Sequence, residues 1–279
     1  MHPIITVAAL RARIGDPELL IIDCRFTLDD PARNGRDYAR SRIPGAVYVS
    51  LDLHMSAVPG PHGGRHPLPD PARLIGILSQ LGIEQQRTHV VTYDDGGGAY
   101  AARLWWLLRW MGHDLVQVLD GGWEAWNRDR APLELRFIPE YTQRKRAPRF
   151  EGAPRSHLVV DVDGVRTLLR EGGFLCDARA EDRYQGRNET LDPIAGHIPG
   201  AHNLPWQGNL DAHGYFLTPD QLAARFADVP DDAVMMCGSG VTACVNVLAM
   251  VAAGRAIPRL YVGSWSDWIS WPDHPIATG

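Results

Sequence analysis

Apolar residues in this chain fall in short runs separated by longer segments of helical spacing, and the two kinds alternate. Leu19-Leu20-Ile21-Ile22-Asp23, His89-Val90-Val91-Thr92-Tyr93 and Leu115-Val116-Gln117-Val118 read as buried strands of the first half. Phe174-Leu175-Cys176-Asp177 and Ala233-Val234-Met235-Met236 read the same way in the second. Between them, Thr6 caps a helix running to Ile14, Ala72 to Leu81 stops at Gly82, and Tyr100 to Met111 ends at Gly112. Thr218-Pro219 opens a helix with a cap and a first-turn proline, and Val241 to Gly254 is rich in Ala, Val, Leu and Met. The stretch from Arg25 to Ser41 reads as a polar connection, Arg42 to Tyr48 as a turn entering an extended segment, and Pro59 to Pro69 as a loop. Strands alternating with helices predict an α/β fold, each copy a mostly parallel sheet flanked by helices on both faces.

The plan occurs twice. Phe174 to Arg179 echoes Ile21 to Arg25, and His197-Ile198-Pro199-Gly200-Ala201 echoes Arg42-Ile43-Pro44-Gly45-Ala46. Gly263-Ser264-Trp265-Ser266-Asp267-Trp268 echoes Gly121-Gly122-Trp123-Glu124-Ala125-Trp126. A period of about 150 residues is too long for a solenoid unit and indicates two copies of one domain. The expected division is 1–135, a linker over 136–155 carrying Arg144, Lys145 and Arg146, and 156–279. Asp177 and Arg179 are expected to pair at a strand end, and His197 to hydrogen-bond within its turn.

Composition narrows the function. The chain has 279 residues, 45% hydrophobic and 22% charged, with net charge −5, which argues against a nucleic-acid-binding surface. Lys145 is the sole lysine, so a lysine nucleophile or Schiff base is excluded almost everywhere. No signal peptide is visible, and no apolar run approaches the ~20 residues of a membrane span. Cys24, Cys176, Cys237 and Cys244 have no CxxC spacing, so neither a metal site nor a dithiol redox motif is expected; a reducing cytoplasm fits best. No cofactor is expected. The nine tryptophans read as packing residues.

The chemistry concentrates in Cys237-Gly238-Ser239-Gly240-Val241-Thr242-Ala243. A cysteine after a strand, followed by a glycine-containing loop and a helix, faces free amides and the positive helix end, which favour a thiolate. Gly238 and Gly240 let the backbone curl so that several amides point at one centre. The alternative is a buried, inert cysteine. The first copy has Asp94 in the place of Cys237. Thr242 is expected to cap the helix and bond the sulfur, and Cys244 to be core. A Cys-x5-Arg oxyanion loop would need arginine where Ala243 stands, which disfavours phosphatase chemistry.

These features resemble the two-domain rhodanese sulfurtransferases over nearly the whole chain. The points of match are the two Ile-Pro-Gly-Ala turns, Asp177-Ala178-Arg179, the Cys237 loop and Gly263 to Trp268. Cys-Gly-Ser-Gly-Val-Thr resembles the 3-mercaptopyruvate branch; thiosulfate-preferring members usually carry Arg and Lys where Gly238 and Ser239 stand. The resemblance implies a catalytically silent first domain, which agrees with Asp94, since a carboxylate cannot carry transferable sulfur. It implies that Cys237 takes the outer sulfur of 3-mercaptopyruvate or thiosulfate as a persulfide and passes it to a thiol or cyanide acceptor, a thioredoxin-like protein among the candidates. Ping-pong kinetics follow, and the amides of the loop, Val241 among them, solvate the persulfide. A loop without a basic side chain leans towards mercaptopyruvate. Arg183 is the implied carboxylate clamp, with a surface arginine paired to Glu181 or Asp182 as the alternative. The segment after it is shorter than in the family, so Arg187 stands in for a second clamp. Resemblance also places a Ser239, His66 and Asp52 set, the last two in the first domain; otherwise His66 caps its loop and Asp52 a turn. The competing functions are a thiosulfate-preferring rhodanese and a sulfur carrier serving a partner protein.

Overall fold

The computed structural model describes residues 1–135 and 149–279; residues 136–148 of the expected linker, with Arg144, Lys145 and Arg146, lie outside the described residues. The described chain divides into two compact units. Unit 1 comprises Met1–Ser56, the described part of Pro69–Arg155, and Ala212–Tyr215; unit 2 comprises Ala57–Leu68, Ser156–Asp211 and Phe216–Gly279. Residues 57–68, inside 1–135 in sequence, thus pack within unit 2.

In unit 1 the order is β1 (Ile4–Ile5), α1 (Val7–Arg11), β2 (Leu19–Asp23), α2 (Pro31–Arg40), β3 (Val47–Tyr48), α3 (Leu51–His54), α4 (Pro71–Gln80), β4 (His89–Tyr93), α5 (Ala101–Trp110), β5 (Val116–Leu119) and α6 (Gly122–Arg128). Its five strands pair in parallel in the order β1-β5-β4-β2-β3. All five residues of β2 are buried, so both faces of the sheet are covered at that strand. Thr6 caps α1 by accepting from the Ala9 amide at 3.2 Å, as read from the sequence, but the helix stops at Arg11 rather than Ile14. The segment read as a polar connection contains α2, capped by Asp30 with Pro31 in its first turn.

Unit 2 repeats the plan with β6 (Val159–Val160), α7 (Val162–Arg170), β7 (Leu175–Asp177), α8 (Glu181–Tyr184), β8 (Ala201–Asn203), α9 (Pro219–Arg225), β9 (Val234–Met236), α10 (Ala243–Ala252), β10 (Arg259–Tyr261) and α11 (Ser264–Trp268). The strand order, β6-β10-β9-β7-β8, is that of unit 1, again all parallel. Thr218 and Gln221 form a full capping box on α9. One side of this sheet packs Leu175, Val234, Met236 and Tyr261 against Val165, Trp265 and Trp268. Both central strands, β4 and β9, therefore end at the carboxyl edge where parallel sheets place their ligand sites.

Candidate active site

The residues that follow the two central strands are Asp94 and Cys237. In unit 1 the Asp94 side chain is wrapped by its own loop. Oδ1 accepts from the amides of Gly96 and Gly98, both at 3.1 Å, and Oδ2 from those of Tyr100 at 2.8 Å and Ala101 at 3.1 Å. Burial pushes the Asp94 carboxyl up to about 6, although those amides pull it down. The loop thus demonstrates, inside the same chain, that this turn presents several amides to one anion. Gly97 and Gly240 occupy corresponding places and share a left-handed φ, 78° and 74°.

Cys237 is 1% exposed. Its amide donates to Ser264 Oγ at 3.1 Å, its carbonyl accepts from Trp265 N at 3.0 Å, and the Gly238 carbonyl accepts from Ser266 N at 2.9 Å. The start of α11 therefore holds the backbone on either side of the sulfur-bearing residue. Gly240 has to be glycine: a Cβ there would lie 2.2 Å from the Val262 carbonyl oxygen, besides the left-handed φ. Val241 is buried. Thr242 stands at the N-cap of α10, but its side chain makes no capping bond, which corrects the expectation that its hydroxyl caps the helix. Cys244 is buried, with Sγ 3.4 Å from the Gly240 carbonyl, and behaves as core.

Ser239 and His66 meet. Ser239 Oγ lies 2.8 Å from His66 Nδ1, with both residues under 10% exposed. His66 reaches the loop as part of unit 2 itself. The segment 57–68 is fastened to the residues around α11: Gly63 N donates to Asp267 Oδ1 at 2.7 Å, Arg65 N to Ser266 Oγ at 3.1 Å, and the His62 ring stacks on Trp271 at 3.7 Å. Gly64, with φ 80°, passes so close to Gly263 that a Cβ would sit 2.4 Å from its carbonyl oxygen. Asp52, the third member of the expected set, is an exposed residue of α3 in unit 1, its carboxyl raised by partial burial.

Arg183 pairs with neither Glu181 nor Asp182 through its guanidinium. It binds Glu189 at 2.8 Å and Asp192 at 3.1 Å. Asp192 also binds Arg65, and Glu189 also reaches Arg179 at 3.5 Å. Arg179 is held by Asp177 at 2.7 Å, the strand-end pair expected from sequence, as Arg25 is by Asp23 at 2.6 Å in unit 1. The result is an alternating chain Asp177–Arg179–Glu189–Arg183–Asp192–Arg65 running from the end of β7 to the cysteine loop. Its carboxylates are almost fully buried, 2% exposed or less at the side chain. Such a network fixes side-chain positions more than it adds stability. His197 bonds the Tyr184 carbonyl at 2.8 Å, so its side chain ties the turn to the end of α8 and does not bond within the turn as expected.

Two arginines end at Gly238. A Cβ on that residue would be 3.2 Å from Arg65 Nη2 and 3.4 Å from Arg183 Nη2. Arg187, expected as the second clamp, is instead exposed and bonded to Gln185, so the second guanidinium at the loop is Arg65. Absence of a basic residue from the loop does not leave it without cations: Arg65 and Arg183 reach it from outside, each paired with a buried carboxylate. Arg65, Glu189 and Asp192 were all missed from sequence; a contact spanning 127 positions, as between Arg65 and Asp192, leaves no local spacing to read. Among the described residues no His, Cys, Asp or Glu group could hold a metal ion, and no helix is long and apolar enough to cross a membrane.

Residues 6–129 and 161–270 match the family described as the rhodanese-like domain. The chain is 46% identical over 285 residues to a Pseudomonas aeruginosa protein named "Probable 3-mercaptopyruvate sulfurtransferase", covering 99% of this chain and 98% of that protein. It is 36% identical to the Mycobacterium tuberculosis "Putative thiosulfate sulfurtransferase SseB", covering 99% and 97%. The crystal structure of SseA from Escherichia coli, a 3-mercaptopyruvate sulfotransferase, superposes with a TM-score of 0.78 at 31% identity, covering 95% of this chain and all of that one.

Proposed function

The chain belongs to the rhodanese family, with a rhodanese-like domain in each half of its sequence, and on that premise we propose that it transfers sulfur from 3-mercaptopyruvate through a persulfide on Cys237. One observation carries the reading. The loop that binds the Asp94 carboxylate through four amides in unit 1 has, at the same place in unit 2, a thiol instead. An amide cradle with a nucleophile in it suits a group that alternates between thiolate and persulfide.

The Cys237 thiolate attacks the donor sulfur. The S–S bond forms as the S–C bond breaks, and the electron pair passes to carbon as the enolate of pyruvate. The proton leaving the new persulfide balances the one that the enolate takes up to become pyruvate. Ser239, hydrogen-bonded to His66, polarises the donor carbonyl and relays that proton, with Asp52 as the third member carried by resemblance. Arg183 grips the donor carboxylate. Gly238, Gly240, Val241 and Thr242 shape the amide cradle around the persulfide. Attack of an acceptor thiol or cyanide on the outer sulfur returns Cys237 to thiolate. We take the acceptor to be a small thiol or a thioredoxin-like protein, and the compartment to be a reducing cytoplasm, in keeping with four free cysteines.

A thiosulfate donor is the second reading, favoured by the two guanidiniums beside Gly238, which suit a dianion. Pyruvate release from 3-mercaptopyruvate, lost in Cys237→Ser, tests the first reading. Turnover of thiosulfate alone would transfer the assignment to the second.

A further inference from the structure

Arg65 and Arg183 come from segments far apart in sequence and bring like charges to one point. Their Nη2 atoms lie 3.2 and 3.4 Å, and Arg183 Nη1 3.6 Å, from where a Cβ on Gly238 would stand. That point is between Cys237 and Ser239. Asp192 holds both: Oδ1 takes Arg65 Nη1, and Oδ2 takes Arg183 Nη2 at 3.1 Å. Glu189 takes the Nε–Nη2 edge of Arg183, at 3.0 and 2.8 Å, sharing Nη2 with Asp192. These bonds use the sides of the two guanidiniums that face the buried acids. Among the described residues no protein acceptor takes Arg65 Nη2, Arg65 Nε or Arg183 Nη1. Two adjacent guanidiniums with donors to spare form a receptor for a planar anion.

We propose that Arg65 is a specificity-determining residue that binds the donor's carboxylate together with Arg183, and that Asp192 is the positioning residue that aims both. The inference rests on the 3-mercaptopyruvate reading above. Three features support it. Arg65 is held on both sides of the residue, by Ser266 at its amide and Asp192 at its guanidinium, so its direction is set before any donor arrives. Burial and then the neighbouring Arg183 charge lower the Arg65 pKa, while Cys237 acts in the opposite sense, as expected of a cation kept beside another cation and an anion site. Gly238 leaves the space that an arginine in the loop would take, so the positive charge here is supplied by Arg65 and Arg183 in place of the loop.

The test compares two donors that share the reacting atoms: 3-mercaptopyruvate and mercaptoacetone, the neutral ketone without the carboxylate. Persulfide formation on Cys237 is followed for wild type, Arg65→Ala and Asp192→Asn. Loss of a charge-assisted bond to the carboxylate lowers kcat/KM for mercaptopyruvate about 10- to 100-fold in Arg65→Ala, chiefly through KM, and leaves mercaptoacetone within about twofold of wild type. Asp192→Asn narrows the same donor ratio in the same direction. An Arg65→Ala protein that loses equally on both donors, or keeps full mercaptopyruvate activity, overturns the proposal while wild-type turnover leaves the donor reading standing. Wild type that forms no persulfide with mercaptopyruvate overturns both.

Discussion

Ser264 occupies a backbone conformation that serine avoids, and the cysteine loop gives it a reason to be there. Its φ is 56°, the same left-handed value as Gly122, its counterpart in unit 1. The side chain is fully buried; Oγ donates to the Tyr261 carbonyl at 2.9 Å and accepts from the Cys237 amide at 3.1 Å. A left-handed conformation costs a non-glycine residue about 1–2 kcal/mol. Leaving a buried amide unpaired costs about 1–3 kcal/mol. Ser264→Ala keeps the strain and loses both bonds, so it destabilises by the second figure. Ser264→Gly loses the same bonds but relieves the strain, less about 0.5 kcal/mol for the extra freedom of an unfolded glycine. Glycine should therefore be the milder change by about 0.5–1.5 kcal/mol. Urea midpoints at unchanged slope measure the difference, and kcat on the same preparations reads the loop. Both variants should lose kcat alike, because both release the Cys237 amide. A Ser264→Gly protein less stable than Ser264→Ala, or one with full kcat, would refute the view that the hydroxyl is kept to anchor Cys237.

Asp94 and Gly238 give two more predictions. The folded-state pKa of Asp94 is raised by burial, from 3.8 to about 6, so its contribution favours the folded state at low pH and is lost as pH rises through that window, flat above it. Asp94→Asn should remove this fall in stability between about pH 4 and pH 6, seen in midpoints across that range; an unchanged profile would sink the assignment. Gly238→Arg puts a third guanidinium where Arg65 and Arg183 already lie within 3.4 Å of the new Cβ, and should lower mercaptopyruvate kcat/KM about tenfold or more. A rise would show that the loop tolerates the charge.

Much of this was legible in the sequence, for local reasons. The runs 19–23 and 89–93 are β2 and β4 to the residue, because strands covered on both faces are rich in apolar, β-branched and aromatic residues. The Thr218-Pro219 start and the Asp177–Arg179 pair also depend on neighbours a few positions apart. What was hidden depends on distant partners. Helix α2 carries little apolar character, and its start shows only in the Asp30-Pro31 cap. The segment 57–68 reads as a bare loop because its anchors, Asp267, Ser266 and Trp271, lie some 200 positions away. The loop itself has no basic residue, and the guanidiniums that reach it, Arg65 and Arg183, come from distant segments. Thr242 was read as a cap from its residue type, yet its hydroxyl makes no cap bond. In unit 1, the amides at that helix start go to Asp94 instead, a side chain seven positions back from Ala101.

The central claim is that Cys237 carries the sulfur. Wild-type protein mixed with 3-mercaptopyruvate and no acceptor should gain the mass of one sulfur atom on the peptide containing Cys237, with one pyruvate released per chain, and cyanide should remove that mass. Pyruvate release without the added sulfur, or added sulfur on a peptide holding Cys24 or Cys176 and not Cys237, would contradict it.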